Sequence, residues 1–201
     1  MPQLPPVTKA LMLICTAMFC VQSLFGYWVE GFLALWPLGS GHFMPWQLIT
    51  YAFLHGDMLH LFFNMLGLWM FGSEIEQIWG RQRYLQFLLA SALTGALAQL
   101  LIAPLIAMPG PTLGASGALF GLLLAFGMMF PDRVIMPLFP PIPMKAKIFV
   151  AVFGGMELLF GLSGRSGVAH FAHLGGMLGG WLMIRYWRGQ PPFPPRGKLR
   201  R

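Results

Sequence analysis

The sequence predicts an all-α polytopic membrane protein with six transmembrane helices. Three observations lead there. Of 201 residues, 57% are hydrophobic and only 9% charged, against about a quarter charged in an ordinary soluble domain. Apolar runs recur along the chain, several of them approaching the ~20 residues that cross a bilayer core. These runs are continuous rather than alternating, which selects helices over a barrel.

The first span covers about 8–28. Lys9 precedes an apolar run from Ala10 to Trp28 that is long for a signal-peptide core and is followed by no clean small-x-small cleavage site, so it reads as a span. The second covers about 56–72 and is entered through WQLITYAFLHGD; the third covers about 83–107, the fourth 115–130, the fifth 146–162 and the sixth 169–187. The second and fourth are short, as if they began below the membrane surface. The 29–55 loop is long, apolar, rich in Trp and Pro and free of Lys and Arg, as expected of a segment that lies in the membrane interface or re-enters it rather than extending into water. The 161–167 loop, GLSGRSG, is short and glycine-rich. Residues 1–188 thus form one membrane domain, and 189–201 a Pro-rich basic tail expected to be disordered and to lie against anionic headgroups. No internal repeat supports a transporter of the inverted-repeat kind.

Charge tests this division. With six spans both termini share a side, and that side holds Lys9, Arg81, Arg83, Arg133, Lys145, Lys147, Arg185, Arg188, Arg196, Lys198, Arg200 and Arg201, leaving only Arg165 of the 13 basic residues opposite. The positive-inside rule then puts both termini in the cytoplasm. The formal charge of +7 therefore records topology. No basic stripe lies on a soluble face, and no nucleic-acid partner is expected. Cys15 and Cys20 lie on different faces of the first span and form neither a disulfide framework nor a metal-ligand pattern. No metal or cofactor is expected.

Polar groups inside a bilayer are costly and mark function by default. They are few here: His55, His60 and Asn64 at the second span, Ser116 at the start of the fourth, Glu157 within the fifth, and His170 and His173 at the start of the sixth. Apart from Glu157, all project to the outer half of the membrane. His60 and Asn64, the chain's single asparagine, are four apart and share a helix face. Ser116 begins a Gly117–Gly121 small face, and the sixth span repeats that spacing at Gly176 and Gly180 and at Gly175 and Gly179. Such faces let helix backbones approach closely. Ser116 has two readings at this point, a small packing residue or a nucleophile. Close approach of the fourth and sixth spans would bring it to a histidine, which a serine nucleophile requires.

Three motifs, HGDMLHLFFN (55–64), GASG (114–117) and AHLGGMLGG (172–180), match the HxxxxHxxxN, GxSG and AHxxGxxxG patterns of the rhomboid family of intramembrane serine proteases. They occur in the family's order and on the corresponding spans, and the resemblance covers roughly 8–187. GASGA lacks the second glycine of the α/β-hydrolase nucleophile elbow, and no strand precedes it. The resemblance implies a six-helix rhomboid-like bundle of bacterial type. It makes Ser116 the nucleophile, His173 the general base, and Asn64 and His60, with backbone N–H groups near Ser116, the oxyanion donors. His55, Gly114 and His170 become supporting residues. Glu157 reads as a stabiliser of the fifth span, with no Asp or Glu placed to orient His173. The chain departs from the family in two places. Trp46-Gln47 stands where Trp-Arg is frequent, and Phe120 stands where some members carry tyrosine.

The implied partners are transmembrane protein substrates and the lipid bilayer. The expected location is a bacterial inner membrane, because no transit peptide or large soluble extension appears, with the site opening to the outer side. An inactive relative that binds membrane clients would share the fold but would be expected to lack the serine or histidine. A channel would need a polar path through the cytoplasmic halves of the spans, which are nearly devoid of polar groups.

Overall fold

Helices carry most of the chain in the computed structural model, which describes residues 4–106, 110–138, 141–163 and 169–194. They are α1 (Pro6–Leu33), α2 (Gln47–Thr50), α3 (Met58–Gly67), α4 (Ser73–Ile102), α5 (Ser116–Met129), α6 (Ala146–Ser163) and α7 (His170–Arg188). Among the described residues the only strands are β1 (Val134–Ile135) and β2 (Met144–Lys145), an antiparallel pair in the α5–α6 connection. Next to it Asp132 accepts hydrogen bonds from Lys147 and Lys145, which hold its carboxyl below the usual range. Among the described residues three helical runs are long and apolar enough to cross a membrane: Pro6–Leu33, Met58–Ile102 and Ala146–Ser163. Most of the expected loop at 161–167 and of the basic tail lies outside the described residues.

The expected gap between the second and third spans is instead helical. A π-helical turn at Leu68–Gly72 joins α3 to α4, and α4 breaks at Gly80, whose φ of 76° and ψ of 164° only glycine adopts readily. The segment before the break stays helical because Ile75 and Glu76 are buried there, with Tyr84 just beyond it.

Glu76 explains how α1 begins. Pro6 at its start lacks an N–H, which costs nothing in a first helical turn. The next two donors, the N–H groups of Val7 and Thr8, reach the Glu76 carboxylate at 3.0 and 2.7 Å, and the Thr8 hydroxyl adds a bond of 2.9 Å. A carboxylate from another helix thus caps α1 where its dipole favours negative charge. Glu76→Ala orphans these buried donors and is expected to destabilise the protein by about 1–3 kcal/mol, read as a lower melting temperature in detergent.

The 34–57 loop folds back on α1 and α4. Its organiser is Gln47, fully buried, which uses all four hydrogen bonds of its amide. Its Oε1 accepts from the N–H of Trp36 and Met44, and its Nε2 donates to the carbonyls of Phe32 and His42. The departure from Trp-Arg therefore leaves a fully satisfied side chain. The loop is further tied by Trp46 Nε1 to the Phe32 carbonyl at 2.8 Å, Thr50 to the Leu33 carbonyl at 2.7 Å and the Tyr51 hydroxyl to the Ala92 carbonyl at 2.8 Å.

At the centre stand α5 and α7. Helix α5 is apolar all round and buried over most of its surface, as an inner helix should be. Helix α7 presents glycine on two adjacent faces. A Cβ at Gly176 would run into the Gly117 carbonyl, and one at Gly180 would lie 3.2 Å from the Gly121 Cα, so this face meets α5 backbone to backbone. A Cβ at Gly175 would come 2.6 Å from the Thr94 carbonyl, and one at Gly179 2.8 Å from that of Ala90, so the second face meets α4. Helix α6 is the least enclosed of the later helices, with only Ala146, Phe149, Val150 and Gly161 buried.

Candidate active site

The short segment before α5 sets up the serine. Gly114 has φ 125°, and its N–H donates to the Tyr51 carbonyl at 2.9 Å. A Cβ there would lie 2.7 Å from Cε1 and 2.8 Å from Nε2 of His60, so glycine is needed both for the conformation and for the ring against it. Two residues later Ser116 opens α5. No side chain caps this helix, so the first-turn N–H groups and the positive end of the dipole lie beside the serine hydroxyl.

His173 meets that hydroxyl from the first turn of α7. The distance from Ser116 Oγ to His173 Nε2 is 2.7 Å. Phe120, one turn along α5 from the serine, stacks on the imidazole with ring centres 4.3 Å apart and planes inclined by 7°. The ring at this position thus acts as a flat wall, for which no hydroxyl is needed.

Behind His173 lies a carboxylate. Gly154, Glu157 and Gly161 occupy one face of α6, where a Cβ at Gly154 would lie 3.2 Å from the methyl of Met177 and one at Gly161 3.2 Å from His170 and Phe171. That face therefore packs on α7 and aims Glu157 at its first turn. Glu157 Oε2 is 2.5 Å from His170 Nδ1, a hydrogen bond, and 2.8 Å from His173 Nδ1. The second contact has hydrogen-bond length, but the oxygen stands off the line of the ring N–H, so it is electrostatic in the geometry observed. The expectation that no acid faces His173 does not hold, and Glu157 does more than stabilise its own helix. The expectation fails because the rotation of a uniformly apolar helix cannot be read from its composition; the two glycines that fix it flank the glutamate.

The other candidates lie on α3 and just before it. Asp57 caps α3 by accepting the His60 N–H at 2.8 Å. His60 Nδ1 accepts the Gly56 N–H at 3.4 Å, which leaves the proton on Nε2, the atom lying against Gly114. Asn64 is buried, and its Nδ2 donates to the His60 carbonyl at 2.8 Å. It sits between His60 and Gly67 on the face that meets α5, for a Cβ at Gly67 would touch Leu119. His55 is buried, with its ring edge-on to His60 at 5.2 Å and its backbone clamped by Gln22.

Ser116, His173, His60 and Gly114 therefore converge, and His170 joins them through Glu157. Among the described residues the one group with metal-ligand chemistry is Glu157, His170 and His173, whose donor atoms lie within 4.8 Å of one another. There the carboxylate already lies against both imidazoles. Gln22 carries no signal in the sequence, and for Gln47 and Glu157 the sequence marks the residues but not their partners. For Glu157 a signal existed: a lone acid in an apolar helix, flanked at i−3 and i+4 by glycine.

Comparison with known proteins agrees with the motifs. A family model of the Rhomboid domain matches residues 42–189. Mitochondrial Rhomboid protein 1 of Saccharomyces cerevisiae is 37% identical over 143 residues, covering 68% of this chain and 40% of that protein. Rhomboid protease GlpG of Yersinia pestis is 28% identical over 186 residues, covering 92% of this chain and 63% of that protein. The chain thus spans less than two thirds of the length of these relatives. With its apolar helices and a Rhomboid domain over most of its length, the chain is an integral membrane protein of the rhomboid family.

Proposed function

We propose that the protein is an intramembrane serine endopeptidase that hydrolyses peptide bonds in or near transmembrane segments of membrane-protein substrates. The single observation that carries this reading is the 2.7 Å approach of Ser116 Oγ to His173 Nε2, at an uncapped helix start. Ser116 attacks the carbonyl of an unwound stretch of substrate helix while His173 takes its proton. The tetrahedral oxyanion is held by His60 Nε2, the Asn64 amide and backbone N–H groups at the start of α5. His173 then protonates the leaving amine, and water releases the acyl-enzyme.

The six-span reading splits the Met58–Ile102 run at Gly80 and counts α1, α5, α6 and α7 as the other four. With Lys9, Arg81, Arg83, Arg133, Lys145, Lys147, Arg185 and Arg188 at the ends on one side, the termini lie in the cytoplasm and the site opens outward. The Yersinia relatives favour a bacterial inner membrane. An inactive client-binding protein is the less favoured reading, since both serine and histidine are present and in contact.

The test is to reconstitute the protein in liposomes with single-span membrane proteins and to map any cut by mass spectrometry. Cleavage near a membrane segment is the expected result; intact substrates at every enzyme concentration would leave the client-binding reading in its place. Asn64→Ala should cost about 2.7–4 kcal/mol of transition-state stabilisation if its amide donates to the oxyanion. An unchanged kcat would assign Asn64 to structure alone.

A further inference from the structure

Glu157 and His170 have no part in a two-residue mechanism, yet they are built into the site. The Glu157 side chain is only 14% exposed, and the two imidazoles that face its Oε2 are 8% and 9% exposed. An ionised carboxylate at such a position is costly unless donors meet it. His170 Nδ1 meets it with a hydrogen bond, and His173 Nδ1 lies 2.8 Å from the same oxygen. Two helices cooperate to make this arrangement. Gly154 and Gly161 seat α6 on α7 around Glu157, and the spacing of His170 and His173 puts both rings on one face of α7.

We propose that Glu157 is a positioning residue for His173, and that His170 holds the Glu157 carboxylate in place. The inference rests on the Ser116–His173 reading. An ionised carboxylate only accepts hydrogen bonds. Facing Nδ1, it selects the tautomer with the proton there, which leaves the lone pair on Nε2 to receive the serine proton. When Oγ–H transfers its proton to Nε2 and Oγ bonds to the substrate carbonyl carbon, the imidazolium formed carries its positive charge beside Oε2. Their attraction is stronger at this buried position than it would be in bulk water. The proton then passes from Nε2 to the leaving nitrogen as the C–N bond breaks, and Glu157 stays ionised throughout. His170, facing the same oxygen from Nδ1, keeps the carboxylate aimed at His173. The stacked Phe120 ring fixes the plane of the imidazole, and Glu157 fixes which of its nitrogens is basic.

The experiment measures the second-order rate of fluorophosphonate labelling at Ser116, kcat and KM on a transmembrane substrate, and the melting temperature in detergent. Glu157→Gln keeps the size and removes the charge. It is expected to slow labelling and lower kcat at least about tenfold with KM and melting temperature unchanged, and Glu157→Asp should recover part of the loss. A Glu157→Gln protein labelled within about twofold of the wild-type rate overturns the proposal. So does a loss of rate that follows the melting temperature and is not recovered by Asp. Should Glu157→Gln not fold, His170→Gln carries the test: a slower rate with an unchanged melting temperature is expected, and a wild-type rate overturns it. Failure of the wild-type protein to label at Ser116 or to cleave substrate would instead remove the protease reading itself.

Discussion

Replacing Ser116 by alanine is expected to abolish both peptide cleavage and covalent labelling by a serine-directed fluorophosphonate, while the protein still inserts and melts as the wild type does. The reason is local. The hydroxyl is the only atom removed, and it touches His173 rather than any packing partner across the α5–α7 seam, where Gly117 and Gly121 make the contacts. His173→Ala should silence both assays as well, because a serine at neutral pH is a poor nucleophile without its base. Loss of a catalytic pair in serine proteases leaves only the residual rate from oxyanion stabilisation and binding. Labelling of Ser116→Ala at more than a few per cent of the wild-type rate would place the nucleophile elsewhere, and the same result for His173→Ala would show that another group activates Ser116.

The second large effect is expected at Gly176. A valine there places Cβ into the Gly117 carbonyl, and Gly117 Cα is only 3.1 Å away. Backbone cannot swing aside as a side chain can, so α5 and α7 must part. Overpacking of this kind typically costs about 1–3 kcal/mol, and the visible loss of activity should be larger than the loss of stability. A few tenths of an ångström of helix separation is added directly to the Ser116–His173 hydrogen bond. The expected result is a lower melting temperature with a disproportionate fall in labelling rate. A Gly176→Val protein with wild-type activity would mean that the seam does not position the pair. Gly155, where a Cβ meets nothing within 4 Å, supplies the control: Gly155→Ala should leave both readouts nearly unchanged.

Much of this was legible in the chain itself. The helices follow from continuous apolar runs, and the closeness of α5 and α7 from glycines spaced four apart on both. The convergence of Ser116 and His173 follows from those two facts. What was not legible has a common physical cause. Glu76, Gln47 and Glu157 each act on partners distant in sequence: the start of α1, the backbone of a loop, an imidazole on the next helix. Their partners depend on helix rotation and loop path, which an apolar helix with little amphipathic contrast does not record. The helical turns at 73–79, before the Gly80 break, were hidden for a different reason: Glu76 turns inward to serve another helix's end. Along α6 the glycines on either side of Glu157 did carry the information, in the same small-residue language that revealed the central seam.

The two glycine faces of α7 also bear on angular precision. A side chain on a helix moves on an arc about the helix axis, so a small change in azimuth displaces a distal ring nitrogen by a comparable fraction of its lever arm. Catalytic groups tolerate roughly 0.5 Å and 10–20° of error. Bulky interdigitating side chains can settle into neighbouring rotamers and let a helix roll. Gly175, Gly176, Gly179 and Gly180 offer no rotamers: they seat α7 in a V formed by the backbones of α4 and α5, where rolling in either direction meets main chain. His173 and His170, both on α7, inherit that bearing. The absence of side chains along the axis is what keeps the imidazole pointed at the serine.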